Sequence, residues 1–219
     1  MSAVLTAAAV AGPLAAGWPL HAWRLRRRLD TARHDPLSGL LTRAPFEERA
    51  ARLLDTRGVS AVLVDLDGFK ALNDTHGHAA GDAAIRATGA RLNWWMQINS
   101  PGVCARLGGD EFAAVLHTLS TAELSWAADE LHRALAEPIT YEGRDLPIGA
   151  SVGAVRRPPG VVVDLPGLLR RADEAMYFAK GLGGGSCVSG WHDPQHPTTN
   201  GRRAGRPGTG EPHTRREVA

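Results

Sequence analysis

Val103-Cys104-Ala105-Arg106-Leu107-Gly108-Gly109-Asp110-Glu111-Phe112-Ala113-Ala114-Val115-Leu116-His117 is the stretch on which the fold turns. Two short apolar runs, Val103–Leu107 and Phe112–His117, predict strands on either side of a tight hairpin. Gly108 and Gly109 carry no Cβ, so backbone there can come close to a bulky ligand. Asp110 and Glu111 then set two like charges on the hairpin tip. That repulsion makes sense where a cation or a proton-transfer role offsets it. A solvated polar turn is the plainer alternative, and Gly-Gly-Asp alone is weak evidence.

Upstream, an apolar run from Val59 to Val64 ends in Asp65, within Asp65-Leu66-Asp67-Gly68-Phe69-Lys70. A carboxylate at a strand end beside a hairpin bearing another carboxylate can form a hard oxygen site of the kind Mg²⁺ takes, completed by a backbone carbonyl, waters and phosphate oxygens. The turn Leu66–Lys70 offers backbone N–H groups at a helix start together with one lysine, which suits phosphate. A surface loop with a lone lysine is the alternative. Next comes Asn73-Asp74-Thr75-His76-Gly77-His78-Ala79-Ala80-Gly81-Asp82. The amide of Asn73 and the carboxylate of Asp82 match the acceptor and donors on the edge of guanine. A purine without those donors would leave the acid unpaired, at a cost on the order of 1–3 kcal/mol per lost partner. Asp82 could instead cap a helix. His76 and His78 are read as structural or solvent-facing, because no soft third ligand lies nearby.

Strands are expected near Val59–Asp65, Val103–Leu107, Phe112–His117, Pro147–Val155 and Ser186–Ser189, and helices near Ala44–Leu54, Ala79–Met96, Thr121–Ala136 and Leu165–Lys180. The order β-α-β-β-α-β, with added elements, predicts an α+β domain: a mostly antiparallel sheet with helices packed on one side. This globular part runs over residues 35–189.

The 219 residues allow one domain with tails, and 43% apolar content is enough for a core. A net charge of +2 points to no nucleic-acid partner. Cys104 and Cys187 are too few for a disulfide scaffold and have no partners at zinc spacing, so both are expected as small residues in strands of a protein from a reducing compartment. Residues 1–34 read as an anchor and short helical stalk. Val4–Trp23 is uncharged and about long enough to span a bilayer, and the arginines at 24 and 26–28 would keep the rest of the chain in the cytoplasm. Pro13 and Pro19 interrupt that stretch, and a loosely helical or disordered leader on a soluble cytoplasmic protein is the other reading. Residues 190–219, rich in Pro, Gly, Thr, Arg and His, are expected to be disordered.

Taken in order, these clusters resemble the GGDEF family of diguanylate cyclases. The resemblance runs from Asp35-Pro36-Leu37-Ser38-Gly39-Leu40 through the three clusters to Ser151-Val152-Gly153 and Arg171-Ala172-Asp173-Glu174-Ala175-Met176-Tyr177. It implies a palm-like nucleotide cyclase fold and condensation of two GTP into cyclic di-GMP across a homodimer. It further implies Asp65, Asp110 and the Leu66 carbonyl as ligands of two Mg²⁺ (or Mn²⁺), and Asp110 and Glu111 as acids of the catalytic turn. Asn73 and Asp82 would read guanine. Phe69, Lys70, Lys180, Gly108 and Gly109 would contact the nucleotide, the lysines at its triphosphate.

Two departures carry expectations. The family's last helix usually ends Ala-Lys-x-x-Gly-Arg-Asn, whereas Ala179-Lys180-Gly181-Leu182-Gly183-Gly184-Gly185 has glycine at the arginine position, which weakens GTP binding. Many members carry Arg-x-x-Asp five residues before the paired glycines; here that window is Asn99-Ser100-Pro101-Gly102, so no tight allosteric product site is expected. Thr42 stands where the family commonly has asparagine. The competing function is a degenerate domain that binds GTP or a protein and makes no product.

Overall fold

The computed structural model describes residues 33–99, 101–191, 193, 198–199 and 202–203. The expected membrane anchor at residues 4–23 lies outside them. Among the described residues no helix is long and apolar enough to cross a membrane.

The chain runs α1 (Arg43–Leu53), β1 (Val59–Asp67), α2 (Phe69–His76), α3 (His78–Asn99), β2 (Gly102–Gly108), β3 (Glu111–His117), α4 (Thr121–Leu135), β4 (Ile139–Tyr141), β5 (Arg144–Leu146), β6 (Gly149–Arg156), α5 (Leu165–Gly181) and β7 (Gly185–Ser189). In the tail, Thr198–Thr199 (β8) pairs with Arg202–Arg203 (β9). The main sheet has the order β2-β3-β1-β6-β7. Every pairing in it is antiparallel except β6–β7, which is parallel. A parallel pair needs a crossover, and α5 supplies it. Each strand and helix expected between residues 35 and 189 is present, with ends displaced by a few residues; the expected helical stalk falls almost wholly outside the described residues.

The helices occupy both faces of the sheet, not one. β1 explains why: its first eight residues are all buried, as a central strand covered on both sides requires. Val62, Val64 and Leu66 pack with Ile85, Leu92 and Trp95 of α3 and Leu124, Leu131 and Leu135 of α4. Val59, Ala61 and Leu63 pack with Phe46 of α1 and Leu168, Ala172 and Met176 of α5. Each large side chain so buried contributes about 1.5–3 kcal/mol.

Two elements go beyond the sequence reading. α2 is a separate eight-residue helix set off by Gly68 and Gly77, both at positive φ. The β4–β5 hairpin turns at Glu142-Gly143, with φ of 51° and 74°. Its three-residue strands are too short to show periodicity, and Glu-Gly is not the usual sequence for such a turn.

Two of the helices, α4 and α5, carry side-chain N-caps. Ser120 accepts from Glu123 N at 3.0 Å at the start of α4. Asp164 accepts from Gly167 N at 2.9 Å at the start of α5. Beyond β7 the contacts continue. Arg171 of α5 donates to the Asp193 carbonyl at 2.6 Å and lies over the Trp191 ring, 5.5 Å from its centroid.

Candidate active site

Asp65 is 2% exposed near the end of β1. In the sheet it faces Glu111 across β1–β3 and Ser151 across β1–β6, and directly opposed residues share a face. The same face carries α5, whose Lys180 donates to Asp65 Oδ1. Asp110 occupies the β2–β3 turn. Its carbonyl accepts from Leu66 N at 3.2 Å, bringing the hairpin tip onto the end of β1. Burial, and then the charge of Asp65, push the Asp110 carboxyl above its ordinary value. The sequence-inferred cluster of Asp65, Leu66, Asp110, Glu111 and Lys180 is therefore assembled from four elements. Lys180 meets it through Asp65.

Gly108 and Gly109 shape this turn by conformation. Their φ values are 147° and 54°, and a Cβ added at either would meet nothing within 4 Å. The space beside them is open to a ligand, in keeping with close backbone approach.

Asn73 lies in α2 and Asp82 in α3, the two helices that meet at Gly77. Asn73 Nδ2 donates to Phe69 O at 3.1 Å. Its Oδ1 lies where Gly81 lacks a side chain: a Cβ there would sit 2.0 Å away. Asp82 is inside α3, which begins at His78, so the capping alternative does not hold. Its carboxylate pairs loosely with Arg86 at 3.7 Å and is half exposed. Lys70 is exposed in the first turn of α2. Phe69 is partly buried and packs against the cluster that contains Ala80, Ala84 and Ile148. His76 and His78 are exposed. Cys104 lies in β2 and Cys187 in β7, and burial pushes both thiols up, Cys104 to about 11.

Several residues of the site went unread in the sequence. Asp67 accepts from Ser151 Oγ at 2.8 Å and borders Gly149 and Gly184. Arg106 joins Asp35 to the hairpin, with Nη1 at 3.1 and 3.0 Å from the two Asp35 oxygens and Nε and Nη2 at 2.9 and 2.7 Å from the Gly109 carbonyl. Both belong to the quoted motifs, yet with Asp35 and Arg106 71 positions apart no spacing announces the pair. A cavity of about 1060 Å³ alongside, lined by Leu63, Leu107, Glu111, Leu165 and Met176, reaches Glu111 from the α1–α5 side.

The donor chemistry suits Mg²⁺. Two carboxylates lie close enough for the charge of one to disfavour ionisation of the other, and an ammonium has already been drawn onto Asp65. Hard oxygens of this kind favour a divalent cation. Among the described residues no three His, Cys, Asp or Glu side chains are grouped to hold a metal. Substrate phosphates and waters would have to complete the coordination, as is usual for Mg²⁺ at nucleotide sites.

The sequence profile described as "Diguanylate cyclase, GGDEF domain" matches residues 32–186. The chain belongs to the GGDEF diguanylate cyclase domain family. It is 49% identical over 166 residues to an uncharacterised 19.3 kDa protein of Streptomyces ambofaciens, covering 75% of this chain and 87% of that one. It is 38% identical to the diguanylate cyclase VdcA of Vibrio cholerae over 68% of this chain, which spans 44% of VdcA. Among solved structures it resembles the isolated GGDEF domain of TpbB from Pseudomonas aeruginosa, with a TM-score of 0.67, 33% identity, and coverage of 74% of this chain and 96% of that one. The coiled coil and GGDEF domain of DgcB from Caulobacter crescentus, in complex with c-di-GMP, shares the fold with a TM-score of 0.68 at 24% identity, over 81% of this chain and 98% of that one.

Proposed function

We propose that this protein is a diguanylate cyclase converting two GTP into cyclic di-GMP and two pyrophosphates. The observation that carries the reading is the buried Asp65 set against Asp110, with Lys180 on the same group.

Asp65, Asp110 and the Leu66 carbonyl would hold Mg²⁺, two ions per site, with Mn²⁺ as an alternative. When bound, the metal neutralises phosphate charge and makes the ribose hydroxyl more acidic. The chain's own groups do the rest. Asn73 and Asp82 hold the guanine edge from the α2–α3 corner. Lys70 and Lys180 draw in the triphosphate, Lys180 exchanging a carboxylate for phosphate oxygens. The open backbone at Gly108 and Gly109 lets the nucleotide lie close. An acid of the turn, Glu111 or Asp110, or a hydroxide takes the 3′-hydroxyl proton. The hydroxyl attacks the α-phosphorus of the other GTP and pyrophosphate leaves. Since each domain holds one GTP, two copies must face each other, and positioning supplies much of the catalysis. Residues 4–23 would anchor this homodimer at the cytoplasmic membrane.

Gly184 favours a second reading, a domain that binds GTP or a partner without turnover. The test is incubation of the full chain with GTP and Mg²⁺ at high protein concentration. Cyclic di-GMP that disappears in Asp110→Ala upholds the enzyme. Folded, dimeric protein that binds GTP and makes no product establishes the second reading.

A further inference from the structure

The turn that carries Asp110 is held from β1 and by Arg106 of β2. Asp110 is flanked by two peptide groups, and both are pinned. The carbonyl of Asp110 accepts from Leu66 N. The carbonyl of Gly109, the peptide before it, accepts two hydrogen bonds from Arg106. With both planes fixed, the backbone torsions of Asp110 are fixed, and only its side-chain rotamers remain free.

Arg106 is itself held by Asp35, and both side chains are little exposed, at 12% and 17%. Asp35 in turn is a fixed acceptor. It takes Ser38 N at 2.7 Å, and its own backbone closes the loop through Asp35 N to Leu40 O at 2.8 Å and Gly39 N to Asp35 O at 2.9 Å. That loop is stitched to the hairpin a second time, by Arg106 N donating to Leu41 O at 3.0 Å. It also presses onto α3, where a Cβ at Gly89 would lie 2.3 Å from Ser38 O. A guanidinium is the group this requires: a planar fork serving a carboxylate with one edge and a carbonyl with the other, which a point-charge lysine cannot copy.

We infer that Arg106 is a positioning residue for the reaction, transmitting the placement of the Asp35 loop to the Gly109 carbonyl and so aiming Asp110 at Asp65. The inference rests on the diguanylate cyclase reading for its kinetic consequence. It also has a consequence independent of turnover, because the geometry of the acid pair sets how well it holds a cation. A group serving only general stability would change the melting temperature and leave the cation site and the rate of the surviving folded protein alone.

The experiment compares the full chain with Arg106→Met, Arg106→Lys and Asp35→Asn. It measures kcat and KM for GTP, Mn²⁺ affinity by electron paramagnetic resonance with a non-hydrolysable GTP analogue present, and amide exchange over Gly109–Glu111. Arg106→Met is expected to lose at least about ten-fold in kcat with KM within about two-fold, since the guanine corner is untouched. It should also weaken Mn²⁺ binding and speed exchange at the hairpin tip. Arg106→Lys and Asp35→Asn should fall in the same direction by less. Folded variants with wild-type kcat, Mn²⁺ affinity and exchange overturn the inference. Where the wild type makes no product, the cyclase reading fails separately, and Mn²⁺ affinity with exchange still decides this one: unchanged values overturn it, weakened binding with faster exchange uphold it. If Arg106→Met does not fold, the two milder variants decide by the same readings.

Discussion

Replacing Gly153 with alanine puts a methyl group where β6 and α5 already touch. The added Cβ would lie 2.0 Å from Met176 N, 2.2 Å from Ala172 O and 2.5 Å from Met176 Cα. All three obstacles are helix backbone, so no change of rotamer relieves them. Ordinary contact starts near 3.4 Å, and the helix must therefore retreat by about 1.4 Å. Overpacking a core costs typically 1–3 kcal/mol, and an obstacle made of backbone puts this case at about 3 kcal/mol or above. For a chain of this size that lowers Tm by roughly 6–12 °C. Lys180 lies about one turn beyond Met176 on the same helix and would be carried off Asp65 with it. A displacement of about 1 Å at a reacting centre can cost on the order of 100-fold. Differential scanning calorimetry and GTP turnover on the full chain measure the two effects. A Gly153→Ala protein with wild-type Tm and wild-type turnover refutes the reasoning.

Asp110→Asn should abolish cyclic di-GMP formation and raise Tm at pH 7. With its folded pKa above the unfolded one, Asp110 supports folding while protonated and loses that support as pH rises through the folded value, so the gap between variant and wild type should close as pH falls toward 3.8; a lower Tm in the variant at pH 7 contradicts this. Gly184→Arg places a side chain at a φ of +106° with its Cβ 3.1 Å from Asp67 Oδ2. The strain should cost about 1–2 kcal/mol and lower Tm by roughly 2–8 °C, while KM for GTP falls if the arginine reaches the triphosphate; calorimetry and initial rates separate the two. Residues 99–102, Asn-Ser-Pro-Gly, bring no charge to the start of β2, so added cyclic di-GMP should inhibit only by competition with GTP. A pattern that saturating GTP does not relieve would show a separate product site.

Strands and helices were legible where they were long and apolar. The continuous run Val59–Val64 announces a strand, but its lack of polar alternation is also the mark of a strand covered on both faces, and the structure bears out that second meaning over a one-sided sheet. α2 and the β4–β5 hairpin were hidden because eight-residue and three-residue elements carry little periodicity. The acids and glycines of the site were readable because each stands at the end of an apolar run. Arg106 with Asp35, and Ser151 with Asp67, were unreadable as pairs: the contacts join residues 71 and 84 positions apart, the first through a loop docked on β2 and the second through the β1–β6 pairing. The glycines at 81, 89 and 153 gave no warning either. They are needed because another element lies within 3 Å of where a Cβ would be.

The bond between Lys180 and Asp65 spans 115 positions of the chain. As the polypeptide leaves the ribosome, β1 and the β2–β3 hairpin are complete long before α5 exists. The two acids can thus be brought together while the ammonium that offsets them has yet to be made. α5 must cross over, lay Lys180 on Asp65 and deliver β7 beside β6 before the charges at this centre are balanced. Contacts of such long sequence separation form late, since the chain between them must first be ordered. A chain halted before α5 is made therefore carries both acids with no Lys180 to offset them.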